Sequence, residues 1–463
     1  MGEALITRRG GAGSGSDIVN GILEEYYAES ETIEPNTFVE LSHKEILKAT
    51  QEYSKSNVGD RFKYNAVEIS PNVVFCAIDK GTDSPYVGIC TIGDENTITF
   101  NTFVSLDTSS TIYNCCSPEL IKLSSNKVLA IIRWGTSYLY AFICTISNNK
   151  TITISEYTSI SSNEASGRIT NIILSTVLEN NDNYCKIVVQ SLYGSSYYAH
   201  TIAIMVDKTT NQITKGSKLI NNNAFVPHIN NMLSYDANTA LFFGADSTYG
   251  KGCCIVYTVS DLVITKKKVN MVDSKDYVGM ACTLAFFNAD RTKIRIIYSA
   301  ENAKDDNYDS MITRILDYNN NTGEVTFHEP VTLDKLASYT TSEPNYDYVI
   351  GNDFIIMYNG FFTSIFSKKT LARLYDKTYG SFTNSESDND INLTTNMKEA
   401  CCIELFSGKL FQIYPEGIST ESLIARLYES NNTVKKVDSH HVIGVTKTKA
   451  TSTSKGKVWI SNV

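Results

Sequence analysis

VVFCAID (73–79), VLAIIRW (128–134), IVVQSLY (187–193), ALFFGAD (240–246), IRIIYSA (294–300), FIIMYNG (354–360) and LFQIYPE (410–416) are one motif read seven times. Each is a short apolar run bounded by turn residues, which is the pattern of a buried strand. The start-to-start spacings are 55, 59, 53, 54, 60 and 56 residues, even enough to define a repeat architecture. Further matches fix the register. ICTI at Ile89–Ile92 returns at Ile143–Ile146, TIT at Thr97–Thr99 returns at Thr151–Thr153, and LARLY at Leu371–Tyr375 returns as IARLY at Ile424–Tyr428.

Within one period the second unit reads as four strands, Glu119–Leu123, Val128–Arg133, Tyr138–Ile146 and Thr151–Tyr157, joined by turns such as Ser124-Ser125-Asn126. Successive strands joined by hairpins, with no crossover helix, give an antiparallel sheet. Four strands repeated about seven times predict an all-β chain folded as a β-propeller, whose radial closure removes exposed sheet edges. The WD40 and kelch signatures are absent. A chain of β-sandwiches is the fallback, and a β-helix would need a shorter period.

The chain divides into four parts on this reading: residues 1–16, 17–59, 60–437 and 438–463. Residues 1–16 (MGEALITRRGGAGSGS) are short and basic, then Gly/Ser-rich like a flexible linker. In 17–59, Asp17 is placed to cap a short helix running to Glu25, and Ser42 with Glu45 forms a capping box for a helix to about Tyr53. Between them TIEPNTFVEL (32–41) reads as a turn at Pro35-Asn36 followed by a strand. Residues 60–437 are the propeller. The Thr/Ser/Lys-rich tail 438–463 ends in an alternating strand that is expected to pair with 32–41, so that both chain ends form one small β module.

Composition excludes several function classes. Of 463 residues, 41 are Lys or Arg and 50 are Asp or Glu, for a net charge of −9. Binding driven by phosphate neutralisation needs the opposite balance, so no nucleic-acid partner is expected. The longest basic run, Lys266–Lys268, is expected at a solvated strand edge. No apolar run of 18 residues is present, so no membrane insertion is expected. The eleven cysteines include the adjacent pairs Cys115-Cys116, Cys253-Cys254 and Cys401-Cys402. Neighbouring strand residues point to opposite faces, so these pairs are expected to be reduced, buried thiols of a protein folded in a reducing cytoplasm.

Motifs for chemistry are sparse, and no cofactor is implied. The six histidines form no i,i+4 pair, and GxSxG, P-loop and dinucleotide fingerprints are missing. Asp305, Asn307 and Asp309 have the alternate-oxygen spacing of a calcium loop, but Ser310 stands where the required glycine would be, so this is the weak metal candidate. Asp388-Asn389-Asp390 is weaker still. Propeller glycosidases need paired carboxylates in the channel, and sialidase-like ones also converging arginines. The Asp-box repeat is absent, and Arg133, Arg291 and Arg295 have no spacing that brings them together. Three stretches set aromatics beside small polar residues, as sugar-binding surfaces do: Tyr193 to Tyr198 with Tyr197, Tyr249 in Thr248–Gly250, and Phe361 with Phe362. Catalytic residues are not assigned, and the protein is expected not to be an enzyme.

The two ends of the chain resemble a known group. MGEALITRRGG is similar to the leader of virion structural proteins of tail-fibre and head-fibre or decoration type, from tailed phages and prophages of gut Gram-positive bacteria. TIEPNTFVEL resembles the strand that follows this leader. GVTKTKATSTSKGKVWI resembles their closing module, with Gly444, Val445, Thr448, Ala450, Gly456 and Val458 matching and Thr446 and Lys449 departing. The resemblance covers about 50 residues and implies a virion protein assembled in the host cytoplasm. Leu5, Ile6, Thr7, Arg8 and Arg9 would be the docking peptide. The implied partners are other virion proteins (tail, baseplate or capsid) and a host cell-surface glycan or protein, with a homotrimer or a tethered monomer both open. The alternatives are a propeller enzyme acting on host surface glycan and a cytoplasmic interaction propeller.

Overall fold

A computed structural model describes residues 21–461 apart from 29–31, 42–46, 55–63, 79–84, 102, 107–117, 135–137, 149, 162–168, 194–197, 222–224, 227–231, 247–251, 273–276, 288–290, 302–307, 338–346, 351–353, 359–361, 368–372, 379–400, 416–421, 429–432, 437–443, 447–448 and 451–455. The chain forms two compact units, one of residues 1–44 with 431–463 and one of residues 45–430.

Three strands come first: β1 (Gly21–Ala28), β2 (Phe38–Leu41) and β3 (Leu47–Ser54). Blade 1 holds β4 (Tyr64–Ser70), β5 (Val73–Ile78), β6 (Tyr86–Ile92), β7 (Ile98–Phe100) and β8 (Val104–Ser105). Blade 2 holds β9 (Glu119–Ser124), β10 (Lys127–Trp134), β11 (Tyr138–Ile146), β12 (Ile152–Ile154) and β13 (Thr158–Ser161). Blade 3 holds β14 (Ile169–Asn180), β15 (Tyr184–Tyr193), β16 (Tyr198–Asp207), β17 (Ile213–Lys215) and β18 (Leu219–Asn221). Blade 4 holds β19 (Phe225–Val226), β20 (Met232–Asp236), β21 (Thr239–Asp246), β22 (Gly252–Ser260) and β23 (Val263–Met271). Blade 5 holds β24 (Tyr277–Phe286), β25 (Lys293–Glu301), β26 (Tyr308–Asn319), β27 (Glu324–Phe327) and β28 (Val331–Ala337). Blade 6 holds β29 (Asp347–Ile350), β30 (Phe354–Tyr358), β31 (Phe362–Ser367) and β32 (Arg373–Thr378). Blade 7 holds β33 (Cys401–Glu404), β34 (Leu410–Pro415) and β35 (Ser422–Tyr428), with β3 as its fourth strand. The remaining strands are β36 (Thr433–Lys436), β37 (Gly444–Thr446) and β38 (Gly456–Ser461).

This is the expected seven-bladed β-propeller of antiparallel four-stranded sheets. The seven apolar runs are the second strands of the seven blades, and the strand limits read for the second unit match β9 to β12 closely. In several blades the first or fourth strand is split in two, as where β7 and β8 both pair with β6.

Blade-to-blade packing follows from strand alternation. Successive residues point to opposite faces, and each face meets a different neighbour. Phe242 and Cys253 pack in the core between blades 3 and 4, whereas Phe243 and Cys254 pack in the core between blades 4 and 5. The cores between blades 7 and 1, 1 and 2, and 2 and 3 are also described. Tyr257, Tyr298 and Tyr428 are fully buried, and each hydroxyl is hydrogen-bonded, to Gln190, Arg314 and Gln412 respectively. That is how a phenol tolerates a core. Around the rim a lysine reaches the next blade at four interfaces: Lys409 to Asn96, Lys127 to Asn211, Lys186 to Asn238, and Lys267 to the Asn320 carbonyl, at 2.6, 2.8, 3.0 and 2.6 Å. Lys266 and Lys267 are exposed on β23, the edge strand of its sheet, as expected of the basic run.

Two expectations are corrected. The helix read from Asp17 to Glu25 overlaps β1, a strand paired with β38 from Gly21↔Ser461 to Tyr26↔Gly456. The helix read from Ser42 to Tyr53 overlaps β3, which pairs with β35 from Leu47↔Tyr428 to Ser54↔Ser422. In both cases pairing with a strand roughly 400 residues away in sequence outweighs local capping signals. Strand β3 completes blade 7 and closes the ring. The propeller unit therefore begins at Glu45 and ends at Ser430, earlier at both ends than the 60–437 read from the sequence.

The other unit is the expected small β module of both chain ends: a closed barrel in the order β1-β36-β2-β37-β38. Its expected pairing is corrected: the terminal strand β38 pairs with β1 and β37, while β2 of the 32–41 stretch pairs with β36 and β37, because β1 takes the edge of β38 that 32–41 was expected to fill. Asn36 takes a positive φ of 64° in the turn before β2, where Pro35-Asn36 predicts one. Ile33 bridges Ala450, and Lys449 pairs with Glu34 at 2.8 Å. Both Ile33 and Ala450 are fully buried.

Candidate functional site

The innermost strands of all seven blades, β4, β9, β14, β20, β24, β29 and β33, surround one cavity of about 420 Å³ on the propeller axis. Its polar side chains come mostly from blades 7, 1, 2 and 3 (Glu404, Asn65, Glu119 and Ser175), where Cys401, Cys402, Ile403, Ala66, Leu120 and Leu174 also line it, while blades 4, 5 and 6 contribute Met232, Thr283, Leu284, Val349 and Ile350. The described lining carries no Arg, Lys or His.

Glu119 is the centre of the polar sector. It opens β9, and its two oxygens accept from the strands on either side. Ser175 Oγ donates to Oε1 at 2.7 Å, and Asn65 Nδ2 donates to Oε2 at 3.2 Å. The Asn65 amide is oriented by the backbone, since Nδ2 also donates to the Pro118 carbonyl at 3.0 Å and Oδ1 accepts from Ala66 N–H at 2.8 Å. One side chain from each of blades 1, 2 and 3 thus forms a continuous hydrogen-bonded arc. Burial pushes the Glu119 carboxyl up to about 7, against the opposing pull of its Ser175 and Asn65 hydrogen bonds. A carboxyl poised near neutrality inside a cavity is a functional-site candidate with a stated physical cause.

Farther along the same inner strands, Glu68 on β4 accepts from Asn72 N–H at 2.9 Å and from Phe406 N–H, which ties blade 1 to blade 7. Lys122 on β9 lies 4.3 Å over the Phe406 ring.

The aromatic and acidic stretches singled out in the sequence share one topological position. In blades 3, 5 and 6 the start of the first strand, the end of the second and the start of the third lie in one row, as in Ile169–Tyr193–Tyr198, Tyr277–Glu301–Asp309 and Asp347–Tyr358–Thr363. Tyr193 and Tyr198 pair at the β15–β16 join, Phe362 opens β31, and Asp309 lies in β26 paired with Glu301. These are second-to-third strand joins of blades 3, 6 and 5, and Asp246 and Gly252 bound the same join in blade 4. Asn65 and Glu119 stand at the starts of their inner strands, the same end of the sheet. Tyr197, Tyr249, Phe361, Asp305 and Asn307 lie outside the described residues, as do Leu5 to Arg9 and Asp388 to Asp390.

The remaining candidates are not brought together. Arg291 donates to the Ser234 carbonyl at 2.8 Å and covers Phe286, and Arg295 is buried in blade 5 beside Phe287 and Thr313. Neither lines the channel. His328 meets Asp317 at 2.6 Å on blade 5, and His200 is buried in β16 with its imidazole pushed down to about 4 by that burial. Cys76, Cys90, Cys144, Cys185, Cys253, Cys254, Cys401 and Cys402 are buried free thiols, as expected. Burial pushes Cys90, Cys144, Cys185 and Cys254 up to about 12, which makes them unreactive. Among the described residues no three His, Cys, Asp or Glu side chains are grouped as a metal site. No described helix is long and apolar enough to cross a membrane.

The sequence reading missed Asn65, Glu119 and Ser175. A signal for them existed: they are 54 and 56 residues apart, and each stands in the strand preceding an apolar run.

No protein-family model and no curated protein matches the chain. Among solved structures, the polysaccharide lyase Uly1 matches at 9% identity with a TM-score of 0.47, over 87% of this chain and 99% of that one. The Nup133 β-propeller domain of Vanderwaltozyma polyspora matches at 9% identity and TM-score 0.45, over 82% of this chain and 100% of that one. The WD40 domain of SCAP from fission yeast matches at 8% and 0.44, over 83% and 99%. At such identities and TM-scores these likenesses bear on neither activity nor ligand.

Proposed function

We propose that this chain is a phage virion protein, a fibre or decoration component, that docks through its LITRR leader and binds a host-surface glycan through its propeller. The observation that carries the binding half is the shared position of the sugar-binding-like aromatics. Tyr193 and Tyr198 at one strand join and Phe362 at another occupy equivalent places in blades 3 and 6, at the end of the sheets where the channel residues Asn65 and Glu119 also stand. Aromatic faces beside small hydrogen-bonding residues are the chemistry of glycan recognition. The docking half is supported by the resemblance of both chain ends to virion proteins, and those ends form a unit separate from the propeller.

Mass spectrometry of gradient-purified particles from the source phage or prophage tests the reading, together with a variant lacking residues 1–10. The full chain is expected in the particles and the truncated chain, still folded, is expected to be absent. Particles that lack the full chain, or that incorporate the truncation normally, would overturn it.

A second reading has one observation in its favour. Glu119 and Glu404 line the same cavity, and a carboxyl raised to about 7 suits a general acid in glycoside hydrolysis. Depolymerisation of host-surface glycan by the full chain, lost in both Glu119→Gln and Glu404→Gln, would establish it. Intact glycan after prolonged incubation would end it.

A further inference from the structure

We propose that the tyrosine cluster at the outer edge of blade 2, Tyr138, Tyr140 and Tyr157, is a binding site for a neutral hexopyranose. The inference rests on the glycan-binding reading above and gives it a place and a class of sugar. Strand alternation builds the cluster. Tyr138, Tyr140 and Phe142 stand on one face of β11, at every second residue. Phe142 belongs to the apolar core between blades 1 and 2, Tyr140 packs partly buried against that core, and Tyr138 is 42% exposed. The aromatic row therefore climbs out of the core to the surface. Tyr157, 53% exposed, comes from the segment between β12 and β13 and meets the row from outside. Its ring stands edge-on to Tyr140 at 4.7 Å and lies 6.2 Å from Phe142, while Tyr138 lies 6.0 Å from Tyr140.

Tyr138 and Tyr157 are the two exposed tyrosines among the described residues, and both flank the same ring. Tyr138 is tilted 34° and Tyr157 82° from Tyr140, so their own planes are steeply inclined and form a corner. The corner is continuous with the strand-join aromatics. Tyr138 pairs with Trp134 at the second-to-third strand join of blade 2, the register equivalent of Tyr198 with Tyr193 in blade 3. Strand β13 pairs with the first residues of β11, which puts Tyr157 at that same end of the sheet.

Size, surroundings and charge select the ligand. Two half-exposed tyrosine rings offer roughly 200 Å², far short of the ~800 Å² per partner that a stable protein interface buries. A pyranose presents an apolar C–H face on that smaller scale, and an inclined second ring holds its edge. The surface around the rings is polar. Glu156 is exposed, Thr158 and Ser159 are partly buried, and Ser159 is the cross-strand partner of Tyr140. Sugar hydroxyls find hydrogen-bonding groups there that an alkyl ligand would not use. The Glu156 carboxylate disfavours an acidic sugar, and Lys215 Nζ is turned to the Ser159 carbonyl at 3.3 Å.

Saturation-transfer-difference NMR of the full chain tests the site, with methyl β-D-glucopyranoside, the corresponding glucuronide and sorbitol as probes. Irradiation of aromatic protons is expected to reach the ring protons of the glucoside, bound in the millimolar range, and to reach the other two probes at least about fivefold less. Tyr138→Ala and Tyr157→Ala are each expected to weaken the glucoside by about threefold to tenfold, whereas Tyr157→Phe, which keeps the ring, retains it. No transfer to the glucoside, equal transfer to sorbitol or the glucuronide, or unchanged affinity in folded Tyr138→Ala and Tyr157→Ala would each overturn the site. The comparison of probes needs no variant, so it stands even if neither alanine variant folds. Sedimentation of the wild-type chain with host cell-wall polysaccharide separates the two claims. Sedimentation alongside any of those contrary results strikes this site and leaves the glycan reading. Glucoside binding lost in the tyrosine variants, without sedimentation, keeps the sugar site and removes the host glycan as its ligand.

Discussion

The faces that a blade turns to its neighbours and the edge it turns to the channel are built from the same strands under opposite rules. In the five described blade interfaces every core is apolar, and the residues are interchangeable in kind: Phe243 and Tyr298 between blades 4 and 5 do what Phe75 and Phe142 do between blades 1 and 2. The channel wall has no such uniformity: Asn65, Glu119 and Ser175 line it from blades 1 to 3, and Met232, Thr283, Leu284 and Val349 from blades 4 to 6. Blade packing demands the same chemistry at each of the five described interfaces, since each must exclude water to hold the ring. Wall residues such as Leu174 and Leu284 also belong to those cores, whereas Asn65, Glu119 and Ser175 do not, so these polar positions are free to differ and to carry function.

Breaking an interface should therefore cost most. Phe243→Ala deletes a fully buried ring that lies 5.7 Å from Tyr298 and 6.4 Å from Phe327. About 3–5 kcal/mol of stability should be lost, visible in a urea midpoint. Val349→Ala on the channel wall should cost much less, about 1 kcal/mol, because one side of Val349 already borders a cavity. Equal losses would erase the distinction between the two surfaces.

Glu119 gives the next effect, through pH. Its carboxyl rises from an ordinary 4.5 to about 7 in the folded chain, so between those values the folded state holds a proton that the unfolded state has released. Stability contributed by the protonated group is full below about 4.5 and is lost as pH rises to about 7. Thermal unfolding of wild type and Glu119→Gln across that window should show the wild type falling relative to the variant, by an amount on the order of 2 kcal/mol. Parallel pH profiles would show that the carboxyl is not enclosed. The rim clasps come last. Lys127→Met, which removes the bonds to Asn211 and the Lys208 carbonyl, should cost about 0.5–1 kcal/mol in the same unfolding assay.

The same contrast explains what could be read in the sequence. The blade interfaces were legible because the second strands are apolar on both faces, so each appears as an unbroken run such as VLAIIRW. Their spacing then counted the blades and located the turns. The channel residues were obscured because inner strands such as ELIKLS mix polar and apolar residues with no single period. Only aligning each inner strand to the run that follows it would have raised Glu119 above background. Strand β3 was illegible for a different reason. LKATQEYS carries a helix-like start, and nothing local announces that it will complete a blade made of residues 401–428. The barrel of the chain ends was legible in part: one β module built from both ends was expected, but the terminal strand β38 pairs with β1 and β37 and not with the 32–41 stretch, and β1 and β36 as barrel strands were not foreseen.

Everything proposed for the channel depends on seven inner strands enclosing Glu119, and a side-chain titration reads that directly. Carbon-13 NMR of the glutamate-labelled chain, compared with Glu119→Gln, should show one carboxyl titrating near 7 that vanishes in the variant. If every glutamate titrates in the ordinary range near 4.5, Glu119 is in open water and the channel is not the site described.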